Sequence, residues 1–268
     1  MIVANGFIRF RRGRVGTNGA PTLPMSRWIT ATSCSHWYRG QQIVRENKHY
    51  CILSHMKHDA LLSLVAGQSY FDLATLVQLS GEPRTKLRTQ LSRWVKAGKL
   101  LPLRRGMYAP AENYRTDAIN PAELANQLYR PSYLSLEWAL GFHGLIPEMV
   151  VTYTSVTSQA PQHFDNAFGR FDYRHVKQAA FFGMVTTTIQ GQQVMLATPE
   201  KALLDYWYLN SGPWPRSRMA GMRFQHGDHI DRVRLRQGAE RFASPRLQRA
   251  VGVWQAFIDD QQSGTVEL

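Results

Sequence analysis

"PRTKLRTQLSRWVKAGKLLPLRRGMYAP", residues 83 to 110, carries eight Lys or Arg and no acid, yet it keeps a regular apolar rhythm. At about 100° per residue, Leu87, Leu91, Trp94 and Val95 fall within about 60° of one line, which predicts a helix with a single buried stripe. Thr85, Lys86, Thr89, Arg93 and Lys96 occupy the opposite arc, Arg88 sits at its edge, and Arg84 falls near the apolar side. Pro83 suits the start of such a helix, where its missing N–H leaves no bond unmade. Gly98 then stops the helix, and "KLLPLRRGMYAP" predicts strand, tight turn and strand, with Gly106 supplying the positive φ that the turn needs. Arg104 and Arg105 stand at the tip of that hairpin.

Upstream, Leu61, Leu62, Leu64 and Val65 predict a short helix ending near Gly67. A second follows, capped by Asp72, striped by Leu73, Leu76 and Val77, and closed at Ser80-Gly81. Three short helices and a basic-tipped hairpin make a winged helix-turn-helix over residues 56–112, whose third helix enters the major groove while the wing touches phosphate. A solvated face is the plainer reading of any charged helix, but such faces commonly mix both signs and this one does not. The expected partner is therefore double-stranded DNA, read by Lys86, Thr89 and Arg93 at base edges, with Lys96, Arg104 and Arg105 on phosphate and Thr85 and Arg88 completing the face.

The charge of the whole chain agrees: 32 Lys plus Arg against 19 Asp plus Glu give +13 over 268 residues. Residues 1–55 hold eight Lys or Arg and one acid, Glu46, and show no sustained apolar period. They are expected to be a disordered basic arm, or not to belong to the native product, with translation starting at Met56. Both cysteines, Cys34 and Cys51, lie in this arm and are assigned no role; two cysteines do not make a disulfide framework. No apolar run reaches the length of a membrane span or a secretory core, so a cytoplasmic protein without a membrane partner is expected.

After the polar connector "AENYRTDAINP", residues 118–268 read as a larger mixed α+β domain with a helical C-terminal part, so the fold class is α+β. Ser135 is expected to cap a helix holding Leu136, Ala139, Leu140 and His143. Strand-like runs follow in "MVVTYTSVT" and "RFDYRHV", then in "GMVTTTIQG" and "QQVMLAT", which turn at Gly191. Thr198-Pro199 and Ser244-Pro245 open two further helices, the last striped by Leu247, Val251, Trp254 and Ile258. Arg216, Arg218, Arg223, Arg232, Arg234 and Arg236 either extend a nucleic-acid surface or form a solvated rim.

Phosphate-loop, nucleophile-elbow, HExxH and dinucleotide-binding patterns are missing, so no enzyme, no cofactor and no metal are expected. His226 and His229 in "HGDH" have only a loose ligand spacing, and His143 reads as a hydrogen-bonded helix-end residue. Glu137, Asp165, Asp172, Glu200, Lys201 and Asp205 remain the residues from which a metal-dependent nuclease could be assembled, as the weaker alternative. "TPEKALLD" lacks an acid-x-lysine order on a strand, and Glu200 at a helix start is accounted for by the helix dipole.

The phrases "YLSLEWALGFHGLIPE", "YTSVT", "FGRFDYRHV", "FFGM", "ATPEKALLDYWYL" and "RFASPRLQRAV", in this order after the winged helix, resemble the AbiEi antitoxins of bacterial abortive-infection systems. The likeness covers nearly everything from Met56 to about Phe257 and leaves out residues 1–55. It implies a winged-helix repressor of its own operon; whether it sits on DNA as a homodimer is left open. The second domain would neutralise a cognate nucleotidyltransferase-like toxin, with or without direct contact. A stand-alone winged-helix regulator without a toxin is the alternative.

Overall fold

Two buried clusters organise the chain, a small one near its start and a larger one around a six-stranded sheet. The computed structural model describes residues 56–264; the leading arm with Cys34 and Cys51 lies outside the described residues. All of them fall within one compact unit, Leu53–Leu268.

The small cluster is made by α1 (His58–Leu64), β1 (Phe71–Asp72), α2 (Leu73–Ser80), α3 (Arg84–Lys96) and the hairpin β2 (Leu100–Arg104) and β3 (Met107–Pro110). Asp72 caps α2 as expected, accepting the Thr75 N–H at 2.7 Å. Pro83 sits at the N-cap of α3 with extended backbone, one position before its expected place. The predicted stripe is correct: Leu87, Leu91 and Trp94 are buried with Leu61, Leu76 and Leu100, and Val95 packs against them. β1 escaped the sequence reading because two residues carry no period; it pairs antiparallel with β3 in a sheet of order β1-β3-β2.

The hairpin is buried on both faces. Leu100 and Tyr108 belong to the small cluster, whereas Leu101, Leu103, Met107 and Ala109 belong to the large one. Alternation with period two allows one ladder to serve both cores, so the strand pair is a shared wall and its tip alone is free to project.

Beyond the connector come α4 (Pro121–Leu128), β4 (Ser132–Leu134), α5 (Leu136–Phe142), β5 (Tyr153–Thr157), β6 (Gln162–Asn166), β7 (Gly169–His175), β8 (Met184–Ile189) and β9 (Gln192–Ala197). The helical end is α6 (Pro199–Leu209), α7 (Arg216–Gly221), α8 (Arg232–Arg241) and α9 (Pro245–Gln262). The sheet order is β6-β7-β5-β4-β9-β8, mixed in direction, with β4 parallel to β9 and β5 parallel to β7. The chain is thus α+β. β5, β7, β8 and β9 occupy the runs read as strands. β4 and β6 were not foreseen, because β4 is three residues buried throughout and β6 is largely exposed.

Thr198 and Ser244 cap α6 and α9, accepting the N–H groups of Lys201 and Leu247. Ser135 departs from expectation. It occupies the N-cap of α5, but its hydroxyl donates to the Asp205 carboxylate at 2.8 Å. Thr154, on β5, caps the helix in its place: its Oγ1 accepts the Trp138 N–H at 3.1 Å and donates to the Ser135 carbonyl at 2.8 Å. A buried carboxylate is the stronger acceptor, so it captures the serine and leaves the helix end to a neighbour. Thr154→Val, which keeps the shape and removes the hydroxyl, should destabilise the fold by about 1–3 kcal/mol, chiefly through the unpaired Trp138 N–H, since the Ser135 carbonyl still accepts the Ala139 N–H at 3.4 Å, read as a lowered urea midpoint with an unchanged slope.

Candidate nucleic-acid interface

On α3 the apolar stripe fixes which side chains face water. Thr85, Arg88, Thr89, Arg93 and Lys96 are all exposed, and Arg84, placed near the stripe by angle, is exposed too because it is the first residue of the helix. Lys86 differs: it is half-buried and pairs with Glu82, 3.4 Å away and one turn earlier. The Thr89 hydroxyl donates to the Thr85 carbonyl at 3.2 Å, so at rest it is turned back on the helix. Thr85, Arg88 and Thr89 line a shallow hollow of about 230 Å³.

Arg104 and Arg105 are not part of that hollow. They line a larger cavity of about 710 Å³, whose other walls come from the end of α4, from β6 and from the β1–α2 corner. Arg104 Nη1 donates to the Arg105 carbonyl at 3.2 Å, and its Nε is buried without a partner. The hairpin is held against β6 by Asn166, whose amide donates to the Leu103 carbonyl at 3.0 Å. Arg130 and Tyr70, which sequence reasoning passed over, join Arg104 and Arg105 here. No local pattern brings these positions together: pairing of β1 with β3 sets Tyr70 beside the hairpin, and the Tyr70 hydroxyl, donating to Glu123 at 2.6 Å, ties in α4, after whose end Arg130 follows.

The positive charge divides into two kinds. The C-terminal arginines are mostly engaged: Arg216 with Asp260, Arg223 with Glu148, Arg232 with Asp259 at 2.6 Å and Arg234 with Asp231 at 3.3 Å, while Arg218 lies 3.7 Å over the Trp214 ring. By contrast, the side chains of Arg88, Arg93, Lys96 and Arg105 make no ion pair or ring contact among the described residues. Unneutralised cations on one exposed helix face are what a polyanion attracts.

Among the described residues, no three of the carboxylates Glu137, Asp165, Asp172, Glu200 and Asp205 form a cluster that could ligate one metal ion. Asp165 pairs with Arg170 on the surface, and Glu200 accepts the Asp231 N–H at 3.1 Å. Lys201 and Asp205 are joined to each other in the core. Asp205 also accepts Tyr133 at 2.9 Å and Ser135, and it is fully buried. Burial pushes its carboxyl up and the Lys201 amine down, and their mutual attraction opposes both shifts. With every oxygen engaged in the core, this group is a structural joint. Among the described residues, the sole cluster of three candidate metal ligands is His226, Asp228 and His229, all exposed and within 4.8 Å of one another. His143 ends α5, where its Nε2–H donates to the Ala197 carbonyl at 2.8 Å and burial lowers its pKa. No helix of the described residues is long and apolar enough to cross a membrane.

The chain matches no protein-family model, and no curated protein matches it significantly. The buried joint makes a sharp prediction. Asp205→Ala leaves a lysine, a tyrosine and a serine without their acceptor and should cost about 3–5 kcal/mol of stability, seen as a large drop in the melting temperature, whereas loss of a catalytic carboxylate would leave the melting temperature nearly unchanged.

Proposed function

We propose that this chain is a sequence-specific DNA-binding repressor built on a winged helix-turn-helix at residues 56–112. As its likeness to the AbiEi antitoxins implies, it also neutralises a cognate nucleotidyltransferase-like toxin through residues 118–268. The observation that carries DNA binding is the exposed face of α3, where Arg88, Arg93 and Lys96 make no ion pair or ring contact among the described residues and stand beside Thr85 and Thr89. Side chains of this kind at helical spacing reach both base edges and phosphate from the major groove. Lys86 contributes after exchanging Glu82 for a phosphate or a base, an exchange of one charge-assisted contact for another. Arg105, at the hairpin tip, adds a backbone contact. The antitoxin part rests on the sequence likeness alone and needs its own test.

Footprinting the DNA upstream of the gene, followed by titrations at several salt concentrations, tests the repressor. A protected site with a steep salt dependence is expected; salt-insensitive or absent binding would count against the reading. Co-expression with the adjacent gene's product tests the antitoxin: restored growth supports it, and repression without rescue assigns the chain to the regulators that have no toxin. Arg93→Ala should relax preference at one or two base pairs and weaken operator binding by about 1–3 kcal/mol. Arg105→Ala should weaken all sequences alike and reduce the slope of log K against log salt by about 1.

A further inference from the structure

The cavity between the hairpin and β6 has a composition unlike that of the α3 face. Three cations surround it, Arg104, Arg105 and Arg130, against the single carboxylate of Asp72, one oxygen of which already caps α2. Arg105 and Arg130 are exposed and make no side-chain ion pair among the described residues, and Arg104 carries a buried Nε without a partner. Aromatic side chains line the same space: Tyr70, Tyr129 and Phe164, each partly buried. Gln127 and Gln162 add amides, which both donate and accept.

At about 710 Å³ the cavity has the volume of small-molecule and cofactor sites. A convergent set of arginines recognises phosphate by paired N–H donors, an aromatic wall accepts a flat ring, and amides read its polar edge. We propose that this cavity binds a phosphorylated, ring-bearing small molecule of mononucleotide size, its phosphate on Arg105 and Arg130 and its ring toward Tyr129 and Phe164. A concave site with aromatic side chains in its lining suits one ring and one phosphate better than the continuous backbone of duplex DNA. The site does not depend on DNA being the partner of α3. Arg105 belongs to both readings, so Arg130, which follows α4 and does not line the hollow on α3, is the residue that separates them.

The test is isothermal titration of the full chain with AMP, GMP and inorganic phosphate, without DNA. At least one mononucleotide should bind, and inorganic phosphate about tenfold or more weaker, since it lacks the ring contacts. Arg130→Gln should weaken the mononucleotide about tenfold or more, at an unchanged melting temperature, and leave binding of the operator duplex as it was. Arg88→Ala should do the reverse. Phe164→Ala, as a second variant, should weaken the mononucleotide and spare inorganic phosphate. The proposal is overturned if neither nucleotide binds, if phosphate binds as tightly as the nucleotides, or if Arg130→Gln weakens duplex binding as much as nucleotide binding, which would make the cavity part of the DNA path. Absent duplex binding beside intact nucleotide binding would remove the repressor reading and leave this one standing.

Discussion

The carboxylate of Asp205 is the constraint to which much of the larger core answers. A buried charge is tolerated only where all its hydrogen-bonding capacity is met, and here the partners come from different parts of the chain: Tyr133 from β4, Ser135 from the start of α5, and Lys201 from one turn back on α6. Lys201 in turn has its Nζ 4.5 Å from the centre of the Phe242 ring and 4.9 Å from that of Phe182. Its alkyl stem runs so close to Gly183 that a Cβ there would stand 3.1 Å from it, and the φ of +73° at Gly183 adds a second reason for glycine. A central strand, two helices, the loop before β8 and the end of α8 therefore meet at one ion pair. Ser135, captured by this joint, leaves the cap of α5 to Thr154, so the ion pair also determines how the next strand is tied in.

A second constraint is the hairpin shared between the two cores. Because alternate residues of β2 and β3 face opposite clusters, the helical unit and the six-stranded sheet share a wall. Tyr70 reinforces the junction by donating to Glu123 of α4 at 2.6 Å. The consequence for function is geometric. The hairpin tip is held beside β6 and α4, so Arg104 and Arg105 border a cavity rather than sharing the hollow on α3. A hairpin buried on both faces is also a rigid one, and rigid elements present cationic side chains at fixed positions.

The charge excess of the sequence is thus not one surface. Ion pairs and a ring contact absorb most of the C-terminal arginines, and those pairs are exposed enough that each adds little stability. Among the described residues, cations without an ion pair or ring contact include Arg88, Arg93 and Lys96 on α3 and Arg105 and Arg130 around the cavity, beside scattered ones such as Lys177, Arg236 and Arg249, and only the α3 set follows from a helical wheel.

The sequence by itself determined the local, periodic features. The α3 stripe of Leu87, Leu91 and Trp94, the Asp72 cap, the hairpin turn at Gly106, the Thr198 and Ser244 caps and the α+β class follow from 3.6- and 2-residue periods and from backbone geometry acting over a few residues. Tertiary structure alone decided what depends on distant partners. β1, β4 and β6 are too short or too uniformly buried or exposed to show a period, and they become strands because a neighbour offers a ladder. Ser135 lost its cap to a carboxylate 70 residues away. Arg130 came to line one cavity with Arg104 through the packing of α4 and β6 against the hairpin unit. Periodicity records which face of an element is buried; which residues of different elements meet is set by hydrogen bonds and packing between segments far apart in the chain, and no local pattern encodes those.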